Sequence, residues 1–214
     1  MTTPLMNFAH RWLSAGVVRW IRPIVEGSDY VPGAGPLILA ANHRSNLDIV
    51  LLAAVSPRPV NYLGKRELAQ QHGIGPLLVQ LGMVPVDRGH GDRNALGQIT
   101  DVLANGDVVG IFPEGTRSPD GALHRFRSGA ARLAAKARAP VVPVGFTGTQ
   151  GWWPRRDKPQ ARRPEIGEIA VRFGPPMDPP PDEPRPRRRF SAELEEAVAA
   201  RTDQARDDTF APVS

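Results

Sequence analysis

Two residues in one short segment have the types and spacing for proton transfer: His43 and Asp48, in Ala41-Asn42-His43-Arg44-Ser45-Asn46-Leu47-Asp48. A carboxylate that holds one nitrogen of an imidazole leaves the other to take a proton from a substrate hydroxyl, the arrangement of a general base. The same residues also fit a plainer role. Ser45 is a candidate helix cap, and Asp48, three positions on, completes a capping box whose carboxylate only satisfies backbone donors. His43 is then an ordinary loop histidine. The two roles are compatible, because a carboxylate has two oxygens.

Three further places carry groups suited to an anionic substrate. Arg88 follows the apolar run Met83-Val84-Pro85-Val86, and Arg117 lies in Phe112-Pro113-Glu114-Gly115-Thr116-Arg117-Ser118. A guanidinium offers a planar fork of donors that matches two phosphate oxygens. Arg88 also suits an ion pair with Asp87 or another neighbour. Lys65 closes the run Val60-Asn61-Tyr62-Leu63-Gly64 and suits either a phosphate or a solvated surface. Gly115 allows close backbone approach and can free a nearby backbone N–H for an oxyanion. Glu114 beside Arg117 reads as a group that orients the guanidinium rather than as a proton carrier.

These residues need elements to place them, and the apolar runs supply the pattern. Residues 36–40, 60–64, 83–86, 108–112, 140–146 and 168–174 read as strands. Residues 49–55, 77–81, 94–103 and the Ala-rich stretch after Ser128 read as helices, and the prolines in 140–146 suggest an edge strand or a bulge. Strand and helix alternate, which predicts a single α/β domain with a mostly parallel central sheet flanked by helices. His43, Lys65, Arg88 and Arg117 then all sit at carboxyl ends of strands, where such sheets gather ligands. Residues 1–24 form an amphipathic helix, with Leu5, Phe8, Trp12 and Val17 on one face and Arg11, Arg19 and Arg22 supplying cations. That helix suits a membrane interface or packing on the domain. It is too polar to span a bilayer and lacks a signal-peptide pattern. Residues 25–180 make the main domain. Residues 181–214 comprise a Pro- and Arg-rich loop, through residue 189, and a helix capped by Ser191.

The chain contains no Cys, so disulfide, thiolate-metal and cysteine-nucleophile chemistry are excluded, and no metal-ligand spacing or nucleotide-binding glycine loop is present. The net charge of +5 points to an anionic partner, whether membrane, phosphate-bearing substrate or nucleic acid. Trp152 and Trp153 beside Arg155 and Arg156 fit an interfacial anchor or a stacking site for single strands, but no nucleic-acid motif accompanies them.

The His43–Asp48 block, Gly82 to Arg88, Phe112 to Ser118 and Val142-Pro143-Val144, in that order, resemble the glycerolphosphate acyltransferase superfamily, most closely the bacterial 1-acylglycerol-3-phosphate acyltransferases. The resemblance spans roughly residues 25–180. It implies transfer of a fatty acyl group from acyl-CoA or acyl carrier protein to the free hydroxyl of 1-acylglycerol-3-phosphate, giving phosphatidic acid. No cofactor beyond the thioester co-substrate is expected, and no metal. It further implies His43 as base held by Asp48, a phosphate clamp of Arg88, Arg117 and Lys65, site-shaping by Glu114, Gly115 and Thr116, and an acyl site lined by Val142, Pro143 and Val144. A peripheral or monotopic protein on anionic lipid at the cytoplasmic face of a bacterial plasma membrane follows as an expectation. The alternatives are another lysolipid or glycolipid acceptor, or a non-catalytic lipid- or nucleic-acid-binding module.

Overall fold

The computed structural model describes residues 3–86, 93–153 and 164–212. Helix α1 (Pro4–Ile21) opens the chain, with the Thr3 hydroxyl accepting from the Met6 N–H and Pro4 in the first turn, where a missing N–H costs nothing. Strands β1 (Ile24–Glu26) and β2 (Leu37–Ala41) follow, then α2 (Leu47–Val55), β3 (Val60–Lys65), α3 (Arg66–Ala69), α4 (Ile74–Gln80), β4 (Met83–Val86) and α5 (Arg93–Ala104). The second half holds β5 (Val108–Ile111), β6 (Leu123–His124), α6 (Gly129–Ala137), β7 (Val141–Thr147), β8 (Ala170–Phe173), α7 (Pro184–Ala199) and β9 (Arg206–Asp207).

Seven strands form one sheet in the order β1-β8-β7-β2-β5-β3-β4, parallel except for the β7–β8 pair; β6 and β9 form a separate two-stranded ribbon. The expected α/β fold with a mostly parallel sheet is therefore the observed one. Strand β2 lies at the centre with all five residues buried, as a strand covered on both faces requires. Its side chains alternate. Ile38 and Ala40 join a core with α5, α6 and α7, whereas Leu37, Leu39 and Ala41 join a second core with Ile21 of α1 and Leu51 and Leu52 of α2. Two helical layers thus sandwich the sheet.

Several expectations needed correction. The loop expected through residue 189 ends at residue 183: α7 begins at Pro184, since prolines at the first positions of a helix forfeit no hydrogen bond. Ser191 is accordingly inside α7, its hydroxyl donating to the Arg187 carbonyl. Phe190, Leu194 and Val198 enter the core beside α6, so this segment packs into the main domain. Strand β7 is interior, not an edge. Val141 N–H donates to Met177, and the Pro143 carbonyl accepts from Gly174. The N–H that Pro143 lacks thus faces the stretch 174–177, where the neighbouring chain has left the ladder. On α1, Val17 turns toward the second core while Phe8 and Trp12 stay exposed, so the four apolar residues do not share one face. Trp152 is buried and meets Trp20 edge-on at 5.4 Å, which removes it from any surface anchor.

Candidate active site

Strands β2 and β5 are neighbours, with Ala40 opposite Ile111, so the loops that follow them emerge side by side. This adjacency brings His43 over Phe112, the two rings stacked with centroids 4.0 Å apart and planes 18° off parallel. Asp48 sits in the first turn of α2 and is fully buried. Its Oδ2 accepts from His43 Nδ1 at 2.9 Å and from the backbone N–H groups of Arg44 and Ser45 at 2.7 Å each. The carboxylate therefore both holds the imidazole and satisfies backbone donors. The Ser45 hydroxyl departs from the capping box: it accepts from Leu47 N–H at 3.0 Å and donates to the Trp153 carbonyl at 2.8 Å. An ionised Asp48 can only accept, so a neutral imidazole in this geometry carries its proton on Nδ1 and keeps its lone pair on Nε2.

The turn after β5 braces this loop. Glu114 is fully buried, and its Oε1 accepts from the His43 N–H at 2.8 Å while Oε2 accepts from the His124 N–H at 3.3 Å. Burial pushes its carboxyl up to about 7 from an ordinary 4.5, against the opposing pull of those two bonds. Glu114 thus holds the backbone of His43, not the Arg117 guanidinium. Arg117 instead donates from Nη1 to Asn46 Oδ1 at 2.7 Å. Gly115 adopts a φ of 78°, which favours glycine, but its N–H donates to the Phe112 carbonyl at 2.9 Å and so is committed to the turn. Ser118 N–H donates to the His43 carbonyl at 2.7 Å, so both backbone groups of His43 are tied to this turn.

A cavity of about 830 Å³ opens from these loops, within the range of ligand sites. His43, Asn46, Thr116 and Arg117 form one wall. Most of the rest is apolar and comes from α1, α2, β3, α4 and β4, with Met6, Val50, Val60, Leu78 and Met83 as examples. Gly110 lies under the Tyr62 ring, and a Cβ there would meet a ring carbon at 2.7 Å, so glycine lets the ring form part of that wall. Val142 and Val144 are sealed inside the second core, and the segment 142–144 does not reach the cavity. In an interior strand, alternation sends each side chain into one of the two cores. Lys65 ends β3 as expected, but its side chain lies outside the described residues, as does Arg88. The contribution of α1 to the wall was missed; the 3.6-residue period in Met6, His10 and Val17 was its available signal.

Among the described residues Asp120, His124 and Asp207 bring three candidate metal-ligand atoms within 4.8 Å of one another. Asp120 Oδ1 is bonded to His124 Nε2 at 3.0 Å, and Asp207 Oδ1 accepts from Thr209, so these groups form a hydrogen-bonded corner. An imidazole on the wall of a largely apolar cavity, with a guanidinium on the same wall, is an arrangement suited to proton transfer from an alcohol that carries an apolar chain and an anionic group.

The acyltransferase family model matches residues 22–147, more than half of the chain, and the chain belongs to that family. Among curated relatives, human 1-acyl-sn-glycerol-3-phosphate acyltransferase alpha is 32% identical over 160 residues, 73% of this chain and 55% of that protein. The Bacillus subtilis (strain 168) 1-acyl-sn-glycerol-3-phosphate acyltransferase is 32% identical over 126 residues, 58% of this chain and 62% of that protein. The chain thus spans a little over half the length of the curated relatives it matches. The solved 1-acyl-sn-glycerophosphate (LPA) acyltransferase PlsC from Thermotoga maritima superposes with a TM-score of 0.71 at 26% identity, over 91% of this chain and 78% of that one.

Proposed function

We propose that this chain transfers a fatty acyl group from acyl-CoA or acyl carrier protein to the free hydroxyl of 1-acylglycerol-3-phosphate, giving phosphatidic acid and the free thiol. The observation that carries the reading is the pinned Nδ1 of His43, which leaves a basic Nε2 in a cavity shared with Arg117. Nε2 takes the hydroxyl proton as the alkoxide oxygen bonds to the thioester carbonyl carbon. The tetrahedral adduct then expels the thiolate, which recovers the proton from the imidazolium. Asp48 stabilises that imidazolium at 2.9 Å. General-base catalysis of this kind is worth roughly 100- to 10,000-fold. Arg117, joined by Arg88 and Lys65, holds the acceptor phosphate, and this positioning supplies a further part of the rate. The relatives' names support the acceptor, and the size and apolar lining of the cavity support an acyl chain.

Acceptor and product are bilayer lipids, so the enzyme works at a membrane surface. No described helix is long and apolar enough to cross a membrane. Helix α1 instead presents Phe8 and Trp12 outward at 59% and 62% exposure, beside Arg11 and Arg19, a composition suited to an anionic interface. The cytoplasmic leaflet, where thioester carriers are available, is the fitting site. The test is His43→Ala. Thermal stability and vesicle binding should persist while turnover falls at least 100-fold; turnover near wild type excludes His43 as the base.

A further inference from the structure

The residue before His43 is held by side chains from the far end of the chain. Asn42 is fully buried, and its amide closes a ring of contacts. Oδ1 accepts from the Phe146 N–H at 2.7 Å, and Nδ2 lies 3.1 Å from the Phe146 carbonyl, 3.2 Å from Thr202 Oγ1 and 2.6 Å from Gln204 Oε1. The Thr202 hydroxyl in turn donates to the Phe146 carbonyl at 3.0 Å, and Gln204 Nε2 donates to the Gly121 carbonyl at 2.8 Å. Asp203, between them, pairs with Arg44, the residue after His43.

The rest of this terminal strap is anchored independently. The chain passes over β7 at Gly145, where any Cβ would collide with the Arg201 carbonyl. Leu123 N–H donates to Ala205 at 2.8 Å, Arg125 N–H to Thr209 at 3.0 Å, and Arg127 Nη2 to the Ala211 carbonyl at 2.7 Å. These bonds, with the β6–β9 ribbon, also fix His124, whose N–H shares the Glu114 carboxylate with the N–H of His43. The strap therefore reaches the His43 backbone by three routes, through Asn42 before it, Arg44 after it and Glu114 beside it.

We propose that Thr202 and Gln204 are positioning residues for the acyl transfer: by clamping Asn42 they set where the His43 imidazole stands relative to Asp48 and the cavity. This inference rests on His43 being the base. A reacting group misplaced by about 1 Å can lose about 100-fold in rate, and functional groups need placement to within about 0.5 Å. Nothing in this arrangement touches the acceptor, so its effect belongs in kcat.

The test compares Thr202→Val and Gln204→Met with Thr202→Ser and with Arg187→Met. The last removes a contact at the start of α7, to Asp182 at 2.6 Å, that leads to neither Asn42 nor Glu114. The first two should lower kcat about 10- to 100-fold and leave the KM for lysophosphatidate within about twofold. Thr202→Ser should restore kcat, and Arg187→Met should keep wild-type kcat even where it lowers Tm equally. The 15N shifts of the His43 ring should report a loss of the single Nδ1–H tautomer in the first two. Wild-type kcat in Thr202→Val and Gln204→Met overturns the clamp, as does a kcat loss that merely tracks Tm across all the variants. Full turnover in His43→Ala instead overturns the base itself and the clamp with it.

Discussion

Replacing Asp48 by Asn isolates the charge of the carboxylate from its shape. An amide oxygen in the place of Oδ2 can still accept the two backbone N–H groups at 2.7 Å and His43 Nδ1 at 2.9 Å. What it cannot supply is a negative charge against the imidazolium that forms as the hydroxyl loses its proton. A hydrogen bond to a charged group is worth about 1–1.5 kcal/mol more than one to a neutral acceptor, which converts to a loss of about 5- to 13-fold in kcat. Folding should change little. Oδ1 already lies buried without a partner, so the new NH2 inherits an unsatisfied position, while a desolvated charge is removed. The residual imbalance of about 1 kcal/mol shifts Tm by about 2–4 °C for a domain of this size. Thiol release measured with a chromogenic disulfide reagent is a direct assay, because a chain without cysteine contributes no background. A folded Asp48→Asn enzyme with kcat within about threefold of wild type would refute the reasoning, since the carboxylate would then serve only as a cap.

Glu114 gives a pH signature. Its folded value of about 7 exceeds the ordinary 4.5, so the ionised form is penalised in the fold; the penalty is absent below 4.5, grows through the interval and is complete above 7. Relative to Glu114→Gln, wild type should lose about 3 kcal/mol of stability over that span in urea titrations, and parallel profiles for the two would contradict the assignment. Arg117→Lys replaces a fork with a single ammonium and should raise the KM for lysophosphatidate about tenfold with kcat within about threefold; an equal rise for a phosphate-free acceptor would place Arg117 outside the phosphate site. Phe8→Ser and Trp12→Ser together should weaken sedimentation with anionic vesicles at least tenfold while sparing turnover of a short-chain, water-soluble acceptor. Unchanged vesicle binding would remove α1 as the anchor.

The sheet was legible where local pattern decides it. Leu37 to Ala41, Val108 to Ile111 and Val141 to Thr147 are apolar runs bounded by breakers, and each became a strand. Strands β1, β6 and β9 were not legible, because two or three residues acquire a ladder only from partners far away, as Ile24 does from Ala170. Pro184 and Pro186 have the composition of a loop, yet in the first turn of α7 proline is harmless. The pairing of His43 with Asp48 followed from spacing across a strand–helix junction. The role of Glu114 did not, since its partners are backbone N–H groups set by strand order, one of them on a residue 71 positions earlier. Gly115 does take the left-handed backbone that glycine favours, and its own N–H is taken by the turn.

One wall of the cavity is α1, whose opposite side carries Phe8 and Trp12. A helix is about 10 Å across. The exposed pair is therefore one helix diameter from the inner chamber. Any change in how α1 seats on α2 alters the chamber on one side and the exposed Phe8 and Trp12 on the other together.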